Sequence, residues 1–314
     1  MAGGYSNNTI HRYNKMWRKF SSFATEFDPN WRLPVPVTML ACYGVWLSDQ
    51  GYKPATINAH LAGVGWWHKI KGLADPSKDF LVRRFQAGLV KMGPPAKQSA
   101  PVRFELLSKL LLVLPSVRPR FEVTLFKSVF LLAYFASLRI SKYAASSSSN
   151  HTLHIGDVGF LQENGEEGLV LVFMTYKASQ KPAKLFVPSG PSPDKCPVQA
   201  LRNYLLIRPD GDGPLFLQES GKPLTTYLVN KTLRACVAAV GLPPENFSAH
   251  AFRAGRTTDL VDMDLNDAAI RESGRWKSTA YLKYVRFDLF HLPKGAPEGV
   301  QAASAIPRSL PPSS

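Results

Sequence analysis

The stretch His250-Ala-Phe-Arg253, followed by Gly274-Arg275-Trp276 and then by Lys277-Ser-Thr-Ala-Tyr-Leu-Lys-Tyr284, decides how this chain is read. It gathers two cation-capable side chains, an indole donor and a phenol into one short part of the sequence. That inventory suits the opening of a phosphodiester without a metal. A Pro-rich bend ends at Pro244, and Ser248 is expected to cap a helix over Ser248–Asp262. On such a helix His250 and Arg253, three apart, share one face. A second helix is expected over roughly Leu265–Ser273, with Gly274 as its C-terminal stop. Each residue taken alone reads as a core histidine, a surface arginine or a packed aromatic. The combination is what carries information.

Working outward, the apolar run Leu131-Leu-Ala-Tyr-Phe-Ala-Ser-Leu ends in Arg139-Ile-Ser, and Phe173-Met-Thr-Tyr-Lys177-Ala-Ser-Gln falls at the tip of an expected hairpin. An Arg after an apolar helix, a hairpin Lys, His-x-x-Arg, Trp and Tyr, in this order, resembles the tyrosine recombinase (phage integrase) family over nearly the whole chain. The wording Gly-Arg-Trp-Lys-Ser-x-Ala-Tyr-x-x-Tyr-Val-Arg is most similar to recombinases of DIRS-type retrotransposons and related eukaryotic mobile elements. The resemblance implies a mainly α fold with a small antiparallel β-sheet. A helical core-binding (SAM-like) domain would precede the catalytic domain. It also implies a site-specific recombinase that cuts and rejoins DNA through a covalent 3′-phosphotyrosine and a Holliday junction. Two alternatives stay open: relaxation of DNA as by a type IB topoisomerase, and a catalytically inactive, domesticated DNA-binding protein.

The resemblance assigns the roles. Tyr284 would be the nucleophile, with Tyr281 as a rival phenol, because the family nucleophile lies eight or nine residues past the His/Trp position. Arg139 and Arg253 would clamp the non-bridging oxygens, a task for a planar, permanently charged fork. His250 would bond phosphate and accept the phenolic proton. Trp276 stands where many members carry His, and its indole can only donate. Lys177 would be the general acid, with Lys181 and Lys184 as competitors on the same hairpin. Lys142 departs from the pattern, since the commoner residue there is acidic and supports the active-site Arg. A lysine would repel Arg139, so another carboxylate should support that residue or Lys142 should point outward.

Composition agrees with a polyanionic partner. The 314 residues carry a formal charge of +15, and residues 1–100 hold 13 Lys/Arg against 5 Asp/Glu. Phosphate neutralisation by such side chains supplies most non-specific DNA affinity. The candidate contacts in the N-terminal part are Arg12, Lys15, Lys19, Lys53, Lys69, Lys71, Arg83 and Arg84. Cys42, Cys196 and Cys236 are widely spaced, which suits reduced thiols, two of them buried. They build no metal site, and neither a metal nor a cofactor is expected. The run Leu125–Leu138 is interrupted and too short for a bilayer, and no signal-peptide pattern opens the chain. These features predict an intracellular, DNA-associated protein without membrane spans, nuclear in a eukaryotic host.

Helical periodicity predicts helices at Thr9–Phe27, Val37–Asp49, from Lys53-Pro54 through His68, and at Lys78–Lys91, forming a core DNA-binding domain over 1–95. A stiff Pro-rich linker covers 96–102, a catalytic domain 103–291, and a Pro-rich tail 292–314. Within the catalytic domain, helices are expected at Phe104–Leu114, Phe121–Leu138, Val198–Ile207 and Thr225–Val240. Strands are expected at Thr152–Phe160, Gly168–Thr175 and Lys184–Val187. The expected partner is double-stranded DNA with inverted half-sites, bound by a homotetramer across two sites and by a monomer before assembly. The apolar Phe287–Leu292 is expected to dock on its own domain or on a neighbouring protomer.

Overall fold

The computed structural model describes residues 7–93, 99–145, 152–163, 165–174, 182–276 and 278–286, and the chain divides into two compact units, 1–97 and 98–314. Lys177, Lys181, the Ser146–Asn150 break and the segment from Phe287 to the Pro-rich tail lie outside the described residues.

In the first unit, α1 (Asn7–Phe27) buries Met16, Phe20, Phe23 and Ala24, the 3.6-residue stripe of an amphipathic helix. It packs with α2 (Val37–Asp49), α3 (Pro54–Ile70) and α4 (Phe80–Met92) around Phe20, Leu40, Tyr43, Leu47 and Leu61. Pro54 sits in the first turn of α3, where its missing N–H costs nothing. Helix α4 begins at Phe80 rather than at Lys78, because the Asp79 carboxylate accepts the Leu81 N–H at 2.8 Å and caps it there. The aromatic stripe is core: Phe20 meets Tyr43 edge-on, 5.2 Å between centroids. His68 is buried with it, its Nε2 accepting the Val35 N–H at 3.0 Å and its Nδ1 2.9 Å from the Val64 carbonyl. Those two bonds require a neutral ring with the proton on Nδ1.

The second unit contains α5 (Phe104–Val117), α6 (Arg120–Phe135), α7 (Pro197–Leu205), α8 (Thr226–Ala239), α9 (Ala251–Asp262) and α10 (Asp267–Gly274). A three-stranded antiparallel sheet, β1 (Val158–Glu163), β2 (Glu166–Phe173) and β3 (Ala183–Pro188), runs in the order β1-β2-β3. The architecture is therefore mainly helical with a small antiparallel sheet. Strand β1 starts at Val158, not Thr152, because residues 155–157 form a 3-10 turn closed by Asp157 on the His154 N–H. The core gathers Phe126, Phe130 and Phe252 (Phe130–Phe252 centroids 4.8 Å apart) and extends to Tyr204 and Phe216.

Helix α6 ends at Phe135, three residues before the expected Leu138. Ser137 takes a positive φ of 45° and turns the chain out of the helix, which frees Arg139 from helical geometry. Helix α9 begins at Ala251, so Ser248 is not its cap as expected. The Ser248 hydroxyl is engaged with Ser99 instead, at 3.2 Å, and His250 occupies the N-cap position. Helix α10 is capped by Asn266, whose side chain accepts the Ala269 N–H at 2.9 Å. Its left-handed terminating residue is Arg275 (φ 54°, ψ 49°), not Gly274.

Candidate active site

Three segments of the second unit bring the candidate residues together: the turn after α6, the start of α9, and the stretch that follows α10. Arg253, in the first turn of α9, is 1% exposed. Its NH1 donates to the Ser137 carbonyl, and its NH2 to the Gly274 carbonyl at 2.9 Å. The two turns flanking the site are thus tied to one guanidinium. These bonds take one N–H each, and the buried Nε has no acceptor among the described residues. The Trp276 ring lies 4.1 Å from the Arg253 guanidinium carbon and the Tyr284 ring 5.1 Å from it. Burial and Arg139 pull the Arg253 pKa below its ordinary value, and Tyr284 pushes the other way.

Gly274 explains this stack. A Cβ there would lie 1.6 Å from Cζ3 of Trp276, so only a glycine lets the indole close over the end of α10. Its role is close approach rather than the stop signal expected of it. Trp276 is buried, and its Nε1–H is shielded from solvent with no acceptor among the described residues. Trp276, Tyr281, Leu260 and Ile270 form a small cluster against which Tyr284 and Val285 pack. Tyr281 is buried there, and a hydrogen bond to Asp267 raises its phenol pKa. Tyr284 is only half-buried and faces the guanidinium.

His250 is exposed at the mouth of the site. Partial desolvation, then Arg253 and Arg139, lower its pKa from the ordinary imidazole value. Arg139 is half-buried, and no carboxylate pairs with it among the described residues. Lys142 does not point outward as one of the two expectations required. It is half-buried, with its ammonium 5.7 Å from the Phe173 ring centroid. Burial, Arg275 and Arg139 lower its pKa, with Asp157 opposing. Arg275 carried no assigned role in the sequence reading, yet its guanidinium carbon lies 3.8 Å from the same Phe173 ring. Phe173 ends β2, at the base of the segment that bears Lys177. Lys184 is exposed on β3 and lines an open cleft of about 550 Å³ with Phe186, Arg271, Arg275 and Trp276.

Asp259 was also missed. It is 6% exposed on α9 and accepts from Arg103 Nε at 2.6 Å, the Phe104 N–H at 2.8 Å and the Tyr134 hydroxyl. It fastens α9, and with it Arg253, to α5 and α6. The available signal was a carboxylate on the apolar side of an expected helix, six residues after Arg253. In the first unit, Arg12, Lys15, Lys53, Lys71, Arg83 and Arg84 are exposed. Lys19 lies over Trp46 and Tyr52, and Lys69 pairs with Asp75 at 2.8 Å. Cys196 and Cys236 are buried and Cys42 exposed. Among the described residues no group of three or more His, Cys, Asp or Glu could hold a metal ion, and no helix is long and apolar enough to cross a membrane.

No protein-family model matches the sequence, and no curated protein matches it. Solved structures do. The integrase of transposon Tn1549 in complex with circular-intermediate DNA superposes with a TM-score of 0.61 at 15% identity, over 92% of each chain. The fold is the tyrosine-recombinase fold. The site-specific recombinase XerH, bound to a palindromic difH substrate after cleavage, gives 0.60 at 18% identity over 91% of this chain and 77% of its own. A lambda integrase dimer on a core site gives 0.56 at 13% identity over 89% and 72%. At such identities the fold is shared while most side chains differ, so chemistry has to be argued from the site.

Proposed function

We propose that this chain is a site-specific DNA recombinase that cuts and rejoins strands through a covalent 3′-phosphotyrosine on Tyr284. The observation that carries this reading is the stack on Arg253: Trp276 and Tyr284 lie on its guanidinium, and Arg139 acts on the same charge. A phenol beside two guanidinium groups, with an indole N–H that has no acceptor among the described residues, suits attack on a phosphodiester. The structurally similar integrase and recombinases, solved with DNA bound, support a DNA substrate.

In this reading the Tyr284 oxygen attacks the scissile phosphorus and the bond to the 5′ oxygen breaks. His250, kept neutral by its lowered pKa, accepts the phenolic proton. Arg139, the remaining N–H groups of Arg253 and Nε1–H of Trp276 hold the non-bridging oxygens, where charge grows in the transition state. The departing 5′ oxygen takes a proton from a lysine, Lys177 by resemblance, with Lys181 and Lys184 as competitors. Attack by a 5′ hydroxyl on the phosphotyrosine reverses the step and frees Tyr284. The phosphotyrosine keeps the bond energy, so no nucleotide cofactor is required. Residues 1–95 grip the duplex through their exposed cations, residues 103–291 carry the chemistry, and four subunits assemble on two sites with inverted half-sites. A mobile element of the DIRS type is the proposed source of such a chain, with the nucleus as its place of action.

The experiment uses the full chain and a pool of nicked duplexes with a randomised centre. Complexes that survive SDS are recovered and their DNA sequenced. The wild type should give 3′-linked adducts enriched in inverted half-sites, Tyr281→Phe should still give them, and Tyr284→Phe should give none. An adduct retained by Tyr284→Phe, or no adduct from the wild type on any duplex, would overturn the reading. Relaxation of plasmids without regard to sequence would favour topoisomerase action instead.

A further inference from the structure

His250 stands at the N-cap of α9 without a side-chain capping bond. The first N–H groups of a helix have no partner inside it, so an uncapped start is loosely held unless other elements grip it. Here the grip comes from outside the helix. Ala249, the residue before His250, is buried, and side chains from two other elements bond its backbone. Its N–H donates to Oδ1 of Asn230 on α8 at 2.9 Å, and its carbonyl accepts the Tyr143 hydroxyl at 3.2 Å. The Asn230 amide is itself fixed, its Nδ2 donating to the Thr226 carbonyl at 3.0 Å. Tyr143 is buried and closes the 3-10 turn that follows Arg139. On the other side of His250, the Ala251 carbonyl accepts the Val102 N–H at 2.9 Å. The phenol thus joins the Arg139 turn to the residue beside His250. Neither Tyr143 nor Asn230 is among the groups assigned to the phosphate.

We propose that Tyr143 and Asn230 are positioning residues for His250, which hold its imidazole where it can take the Tyr284 proton. The Ala249 carbonyl belongs to the same planar peptide as the His250 nitrogen, so the tyrosine bond orients the peptide from which His250 departs. The Ala249 N–H belongs to the preceding peptide, and Asn230 orients that one. Packing alone would be served by a phenylalanine at position 143, since a buried hydroxyl costs free energy unless it is bonded. The bond it makes is directed at the chain beside His250. A proton acceptor works only within hydrogen-bond reach of its donor, about 2.6–3.2 Å, so small shifts of this turn are felt in the rate. Tyr143 and Asn230 act through His250, without touching the bonds that break.

This inference rests on the recombinase reading, in which His250 is the proton acceptor, and two measurements separate them. The first uses the full chain and a duplex recovered from the adduct pool, and reads the single-turnover rate constant of adduct formation at saturating DNA. Loss of folded protein lowers the amount of adduct but not that rate constant. Tyr143→Phe and Asn230→Ala should each slow the step by about 10-fold, against about 100-fold for a full 1 Å misplacement, with the half-saturating DNA concentration unchanged. In a His250→Ala background, itself slower, each should change the rate by less than about 2-fold, because nothing is left to position. The second measurement is an NMR titration of His250, which needs no activity. Desolvation, Arg253 and Arg139 hold its pKa low, so a ring released toward solvent by Tyr143→Phe should titrate nearer to about 6.5. A wild-type rate in either variant, or the same loss with and without His250, would overturn the inference for that residue and leave the recombinase reading standing. No adduct from the wild type on any duplex would overturn the recombinase reading. The titration then decides the positioning by itself: a raised His250 pKa in Tyr143→Phe keeps it, and an unmoved one overturns it.

Discussion

Gly274→Ala tests the geometry of the site most sharply, because it adds one methyl group far smaller than the groups it would disturb. The new Cβ would stand 1.6 Å from Cζ3 of Trp276, 2.0 Å from Cη2 and 2.2 Å from Cε3. Ordinary contact begins near 3.4 Å, so the indole must retreat by about 1.8 Å. The Arg253 guanidinium lies 4.1 Å below that ring and bonds the Gly274 carbonyl, so both move with it. Overpacking of this kind costs about 1–3 kcal/mol of stability. Alanine's better helix propensity returns up to about 1 kcal/mol at the last position of α10. With that full offset, the net loss of stability should be about 0–2 kcal/mol. A displacement of order 1 Å in a catalytic constellation lowers rate by about 100-fold. Single-turnover adduct formation at saturating DNA, beside a thermal melt of the same preparation, reads both quantities. A variant that melts within a few degrees of the wild type and cleaves about 100-fold more slowly bears out the reasoning. A variant that cleaves at the wild-type rate would refute the claim that the Trp276–Arg253 stack sets the clamp.

Trp276→Phe keeps an aromatic face on Arg253 but removes the only indole donor in the site, so adduct formation should fall by about 10-fold or more while DNA binding holds; equal rates would leave Trp276 a packing residue. Because burial, Arg253 and Arg139 depress the His250 pKa, an NMR titration should find its imidazole below the ordinary 6.5, and Arg139→Gln should move it upward. The same depression means the neutral ring is favoured by the fold, so its stabilising contribution is present above the unfolded pKa and lost as pH falls from about 6.5 through the folded value; a His250→Gln variant should lose less stability over that interval. Asp259→Ala strips a buried acceptor from the Phe104 N–H and the Tyr134 hydroxyl and from partly exposed Arg103. It should cost about 3 kcal/mol, a drop in Tm of roughly 6–12 °C, read by calorimetry; a loss under 1 °C would show that α9 is held some other way.

Most element positions were legible because they rest on local signals. Val37–Asp49 was predicted to the residue, since apolar periodicity and a following Gly51 bound it on both sides. Errors arose where a tertiary contact overrode the local signal. Ser248 has the chemistry of a cap, but Ser99, far away in sequence, takes its hydroxyl. Gly274 has the chemistry of a helix stop, but the space it leaves is filled by Trp276, and Arg275 takes the left-handed turn. Lys142 read as a departure from a pattern, since no sequence signal places it on the ring that Arg275 also covers.

The amino-acid sequence by itself determined the elements and the chemical inventory: periodicity writes helices and strands locally, and His, Arg, Trp and Tyr carry their donors and acceptors wherever they lie. Tertiary structure alone decided which of those groups touch. Arg253 is bonded to the carbonyls of Ser137 and Gly274, residues on either side of it in sequence and on different turns in space. Such a bond depends on where three backbones cross, and that is set by the packing of α6, α9 and α10 as whole bodies. The same packing buries Tyr281 and leaves the half-buried Tyr284 ring beside the guanidinium, a difference in surroundings between two phenols that spacing alone does not give.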